Sequence, residues 1–436
     1  MTTIRRSVQT AALVASILLA FAAVAQAAPG DIDVTYSRGG RHITDFARAP
    51  DAAHAVLVLP DGKLRLAGIA DANGSVAGGN HFGLVPYTLN GDRDGTFGDS
   101  GPRGGGGKVV TTFGTYDAAH AIAPQSDGNF VVAGITLSGP QYQFALVRFL
   151  PNGSLDPAFG TGGKVITSLA QGLTNTAGHA VALVIQTDGR LVVAGTSGGD
   201  FVLVRLNPNG SIDQSFGSGG TVTTDFGFVE NASALVLQPD GKLVAAGSSV
   251  GGPALADFVL ARYSSDGTLD QSFGVEGKVR TDFGLGLPDT LDALVLQPDG
   301  RLVAAGSAFV VDTQDGADFA LARYNSDGTP DDTFGGGGLV STAITARRDG
   351  AHGLVVQGDK LVAAGHAFVT SSNTAFAVAR YNILDGSLDP TFSTDGKLTD
   401  DFIGSFGYAN AVALQGGKII VVGSSVDNFA SARYFG

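Results

Sequence analysis

The feature that most constrains this chain is an internal repeat present seven times, with the two chain ends holding complementary parts of one copy. The clearest unit runs from Ala232 to Gly247, as Ala-x-Ala-Leu-Val-Leu-Gln-Pro-Asp-Gly-Lys-Leu-Val-Ala-Ala-Gly. It recurs with drift, ending at Gly68, Gly134, Gly195, Gly247, Gly306, Gly365 and Gly423, at spacings of 52 to 66 residues. Each copy is two apolar runs about a tight turn: Asp61-Gly62, Asp127-Gly128, Asp188-Gly189, Asp240-Gly241 and Asp299-Gly300, with Gly358-Asp359 and Gly416-Gly417 in the last two. Asp-Gly suits the positive φ of a type I′ hairpin, so the runs are expected to be strands A and B. Asp257–Tyr263 typifies a third strand, and Gly277–Phe283 a fourth. Four short antiparallel strands per repeat make one blade of a propeller.

The ends decide closure. The last copy stops at Gly436 after its third strand, and Gly30–Phe46 matches Gly210–Phe226, which carries the fourth. The expected fold is all-β: a seven-bladed β-propeller with four antiparallel strands per blade, its ring closed by the N-terminal strand. Closure removes the unpaired edge between first and last blades. The blades are expected near 52–114, 115–170, 171–228, 229–285, 286–343, 344–403, and 404–436 plus 30–47. The 65 Gly among 436 residues agree, since glycine disfavours helices by about 1 kcal/mol each.

Residues 1–27 read as a signal peptide, with Arg5 and Arg6, an apolar Ala11–Ala25 and a small-x-small site at Ala25-Gln26-Ala27. The apolar stretch is short for a transmembrane anchor. A periplasmic or extracellular location follows as an expectation, with the remaining chain a soluble monomer. There is no Cys, so disulfides are excluded. After cleavage 25 Lys and Arg face 40 Asp and Glu, a charge of about −15 that repels phosphate backbones and disfavours nucleic acid.

The long phrase, with Phe258–Tyr263 and Gly267–Gly274, resembles the delta-60 repeat proteins of bacteria over nearly the whole mature chain. The resemblance implies an exported propeller and brings no established activity. Blade 1 departs most, with Pro86 in place of the strand-C Arg and a Gly-rich insertion at 101–107.

Residues that recur once per blade should serve the blade. Arg148, Arg205, Arg262, Arg323, Arg380 and Arg433 share one strand-C position; Asp33, Asp94, Asp156, Asp213, Asp270, Asp331 and Asp389 follow the second turn. Each Arg is expected to pair with an Asp or with backbone carbonyls. Tyr36, Phe97, Phe159, Phe216, Phe273, Phe334 and Phe392 are expected to fill the wedges between blades. Gly195–Gly199 and Gly247–Gly251 fit Gly-x-Ser-x-Gly, but a nucleophile elbow needs a strand-to-helix turn. No catalytic residue is assigned.

Function is sought where the repeat breaks. Five residues before the Gln position of strand A stand His54, His120, Val181, Ser233, Asp292, His352 and Asn410. The polar members His54, His120, Asp292, His352 and Asn410 form a candidate ligand-binding set at the channel mouth, on the face of the B–C and D–A loops. They would suit a polar ligand or a divalent metal ion. Alternatively they are solvated or bind strand-end backbone groups. The readings left open are a non-catalytic binding or scaffold module for a protein, carbohydrate or small molecule, and a lactonase- or lyase-type enzyme.

Overall fold

The computed structural model describes residues 27–46, 50–71, 79–98, 106–167, 169, 173, 181–251, 256–284, 287–309, 316–402 and 406–436. The signal-peptide reading thus lies, save for Ala27, outside the described residues.

Among the described residues the short alternating runs form 28 strands in seven four-stranded antiparallel sheets. β1 (Arg41–Thr44) precedes blade 1, which holds β2 (Ala52–Val58), β3 (Leu64–Asp71), β4 (Asn80–Tyr87) and β5 (Val109–Thr111). Blade 2 holds β6 (Tyr116–Pro124), β7 (Phe130–Leu137), β8 (Tyr142–Phe149) and β9 (Lys164–Ile166). Blade 3 holds β10 (Ala182–Ile185), β11 (Leu191–Ser197), β12 (Asp200–Leu206) and β13 (Thr221–Thr224). Blade 4 holds β14 (Val229–Leu237), β15 (Leu243–Val250), β16 (Ala256–Tyr263) and β17 (Lys278–Thr281). Blade 5 holds β18 (Asp289–Leu296), β19 (Leu302–Phe309), β20 (Ala317–Tyr324) and β21 (Leu339–Thr342). Blade 6 holds β22 (Asp349–Gln357), β23 (Lys360–Phe368), β24 (Thr374–Asn382) and β25 (Lys397–Asp400). Blade 7 holds β26 (Gly407–Gln415), β27 (Lys418–Ser425) and β28 (Asn428–Tyr434). Its fourth strand is β1, pairing Arg41 with Ala432 through Thr44 with Phe429. Each inner strand touches the next, from β2 round to β26 and back to β2.

The core is seven apolar wedges, one between each pair of neighbouring blades. The aromatic series supplies each wedge with a ring that is at most 3% exposed. Five of the recurrent Arg tie one blade to the next. Arg262 ion-pairs with Asp270 at 2.8 Å, lies over Phe273 at 4.6 Å and donates to the Ser326 carbonyl of blade 5. Arg148, Arg205, Arg323 and Arg433 likewise reach a carbonyl in the following blade. Blade 1 compensates for Pro86: Arg65, on the strand-B residue paired with it, lies over Phe97 at 4.3 Å.

The A–B turns differ from expectation. In the first five copies only the Gly has positive φ, and its amide closes back three residues, as Gly62 N does to the Leu59 carbonyl. Pro60-Asp61 is therefore the central pair, and Gly62 follows in the left-handed region: a type I turn with a bulge, not type I′. Gly416 and Gly417 of blade 7, with φ of 57° and 84°, do form the primed turn.

Candidate functional site

The register selected from the sequence coincides with a β-bulge. Strand A shifts against strand B between Ala53 and Ala55, Ala119 and Ala121, Ala232 and Ala234, Leu291 and Ala293, Ala351 and Gly353, and Ala409 and Ala411. The extra residues are His54, His120, Ser233, Asp292, His352 and Asn410. A bulge re-aims its side chain, and several of these reach sideways to the neighbouring blade.

The five candidates separate into three cross-blade pairings. His54 Nδ1 lies 2.9 Å from the Ala119 carbonyl, and its ring stacks on His120 at 4.8 Å. A carbonyl only accepts, so that contact puts the proton of His54 on Nδ1; burial holds its pKa down. Asn410 Nδ2 donates to the Ala53 carbonyl at 2.8 Å. His352 Nδ1 meets Asp292 Oδ2 at 2.9 Å, and its Nε2 meets His366 Nδ1 at 2.9 Å.

This last contact extends the set to a residue the register reading missed. His366 follows the repeat-ending Gly365 on strand B, where other blades carry Ile69, Ile135, Thr196, Ser248, Ser307 and Ser424. Comparing that position across blades would have found it. Its ring stacks on His352 at 5.1 Å and lies 4.8 Å from Tyr408 of blade 7. Burial pushes its pKa down to about 3, assisted by His352 and Arg348 and opposed by Asp292. Ionised Asp292 is acceptor-only, which places a proton on His352 Nδ1. A neutral His352 accepts at Nε2 from His366 Nδ1–H, and His366 Nε2 is then an acceptor. Arg348, exposed in the D–A loop before β22, acts on His366, and Val369, Phe406 and Val426 are exposed elsewhere in the B–C and D–A loops.

Oxygen ligands gather elsewhere. Three residues before the bulge, Asp51, Asp117, Glu230, Asp289 and Asp349 accept backbone amides of the preceding D–A loop. Two of these acids join others: Asp200, Asp225 and Glu230 have carboxylate oxygens within 4.8 Å of one another, as do Asp257, Asp282 and Asp289. Hard divalent cations favour such donors. Among the described residues the channel-mouth histidines form no comparable group.

Burial pushes the Asp289 carboxyl up to about 7, with Asp282 and Asp257 adding to the effect, and Asp51 and Asp349 up to about 6. A carboxylate with a raised folded-state pKa binds its proton more tightly in the native state. Stability is therefore fully present below the unfolded pKa and declines as pH rises through about 4 to 7. Asp289→Asn keeps an oxygen for the Phe283 amide while removing the charge. It is expected to raise the melting temperature at pH 8, by roughly 1–3 kcal/mol in stability, and to change it little at pH 4. A fall at pH 8 would contradict this account.

Seven four-stranded blades around a bulged inner ring define a β-propeller repeat protein. Five stretches, 125–159, 186–216, 238–273, 297–334 and 357–392, match the family described as a domain of unknown function (DUF5122) beta-propeller. Each falls in one of blades 2 to 6. Among curated proteins none matches the chain. Solved structures with a similar fold include a protein of unknown function from Dyadobacter fermentans DSM 18053, 13% identical over 78% of this chain and 97% of its own, with a TM-score of 0.44. Virginiamycin B lyase from Staphylococcus aureus is 10% identical over 91% and 99%, with a TM-score of 0.47. A PL25 ulvan lyase is 10% identical over 90% and 96%, also at 0.47. No helix among the described residues is long and apolar enough to cross a membrane.

Proposed function

We propose that this is an exported propeller of the delta-60 repeat type, acting as a binding module that holds a polar ligand on its loop-rich face across blades 5 to 7. The observation that carries this reading is the Asp292–His352–His366 hydrogen-bonded chain, whose last ring meets Tyr408 and is acted on by exposed Arg348. A hydrogen-bonding ring nitrogen, a cation and an aromatic face come together there, as they do in ligand sites. A lactonase or lyase would need a base poised near its working pH. His366, neutral down to about 3, suits acceptance of a ligand's hydrogen bond better.

The test is a thermal-shift screen of the purified protein against neutral and acidic sugars, oligosaccharides and amino acids, beside the variant His366→Ser. Ser occupies the equivalent position in blades 4, 5 and 7, so the variant should fold. A ligand that stabilises the native protein and loses at least about tenfold in affinity with His366→Ser is expected. Ligands bound equally by both forms would move the binding site elsewhere.

A further inference from the structure

The geometry points to a second ligand site, on the outer seam where the ring closes, that takes the phosphate or sulfate group of a small oxyanion ester. A cavity of about 770 Å³ lies there between blade 7 and blade 1, lined by Ser37, Arg38, Arg41, His42, Asp92 and Arg93 among others. β1 is the outermost strand of blade 7, so this cavity is separate from the channel face.

Three of its residues replace what the repeat places there. Ser37 stands where five blades have Gly98, Gly160, Gly217, Gly274 and Gly335. His42 stands where those blades have Val109, Val165, Val222, Val279 and Val340, and Arg93 stands where others have Leu155, Ile212, Leu269, Pro330 and Leu388. Blade 6 also carries a serine at the first position, Ser393, but beside Leu398. At the seam the serine meets a histidine instead, with Ser37 Oγ 2.7 Å from His42 Nδ1. Ser37 keeps the left-handed backbone of the glycines it replaces, at a φ of 45°. A repeat that gives up a Gly–Val fit for a strained Ser–His pair gains no core packing from the exchange.

The cavity gathers cations on a chain whose overall net charge is −13. Arg41 is spoken for, ion-paired with Asp400 at 2.7 Å. Arg38 and Arg93 are exposed, and among the described residues neither has an ion-pair partner. Burial lowers the pKa of His42, and both arginines lie close enough to add to that, with Asp92 opposing. Two guanidinium forks and a hydroxyl are the donor set that oxyanions take. The cavity has room for the organic group that carries one.

The experiment is calorimetric titration of the whole protein with inorganic phosphate and, separately, inorganic sulfate at fixed low ionic strength. Two repeat-restoring variants accompany it: Arg93→Leu, and the double variant Ser37→Gly with His42→Val. Both recreate residues that other blades already hold, so both should keep the native melting temperature. One saturable site is expected, with affinity at least about tenfold lower in each variant, and the preferred anion identifies the ester. Absence of saturable heat with either anion, or equal binding by the native and restored proteins, would overturn the assignment.

Discussion

Gly247→Ala is expected to abolish folding or to cost at least about 4 kcal/mol, whereas Gly336→Ala should cost markedly less. The reason is the bulge, not glycine's backbone freedom, since neither residue has positive φ. A Cβ on Gly247 would lie 1.8 Å from the Asn231 carbonyl oxygen and 3.0 Å from Ala232 Cα. Those atoms belong to the inner strand as it shifts around Ser233, and backbone cannot swing aside as a side-chain tip can. The same contact, at 1.8 to 1.9 Å, faces Gly68, Gly134, Gly306, Gly365 and Gly423. Gly336, exposed in the turn before β21, has nothing within 4 Å of an added Cβ, so a methyl there displaces no backbone. Urea denaturation at constant m-value separates the two cases. Equal, mild losses would mean that the bulge is an accommodation rather than a requirement.

That argument also shows what the repeat made legible. The glycine ending each copy is visible as a period, and so are the recurrent Arg, Asp and aromatic positions, because each does one job per blade. Counting blades and matching Gly30–Phe46 to Gly210–Phe226 leads to the observed pairing of β1 with β28. Cross-blade contacts made by residues that break the repeat are not written in the period. Asp292 and His352 share one register, but their hydrogen bond joins blades 5 and 6, and His366 enters from strand B. Ser37 and His42 face Arg93 only after residues from opposite ends of the ring's first turn converge at the seam. The hairpins differ from expectation for a local reason: Asp-Gly serves both a primed turn and a type I turn with a trailing Gly, and the second forms whether Pro60, Ser126 or Thr187 precedes it.

Arg323→Ala is expected to cost about 3–5 kcal/mol, and Arg301→Ala under about 1 kcal/mol, although both arginines address the same carboxylate. Arg323 Nε is 2.7 Å from Asp331 Oδ2, and Arg301 Nε is 3.3 Å from it. The Arg323 side chain is wholly buried, while Arg301 is 36% exposed. Removing the buried partner leaves Asp331, itself 4% exposed, with only a solvent-screened cation. It also removes the stacking over Phe334 at 4.4 Å and the bonds to the Ile383 and Leu384 carbonyls and to Thr333 Oγ1. The two carbonyls belong to blade 6, so the loss falls on the contact between blades as well as within one. Arg323→Lys distinguishes charge from geometry. A lysine restores the charge beside Asp331 but lacks a planar fork to span Asp331 and blade 6 together. The lysine variant should therefore recover only part of the loss, measured as the shift in denaturation midpoint. Full recovery by lysine would reduce the rung to a simple ion pair and remove its part in fastening one blade to the next.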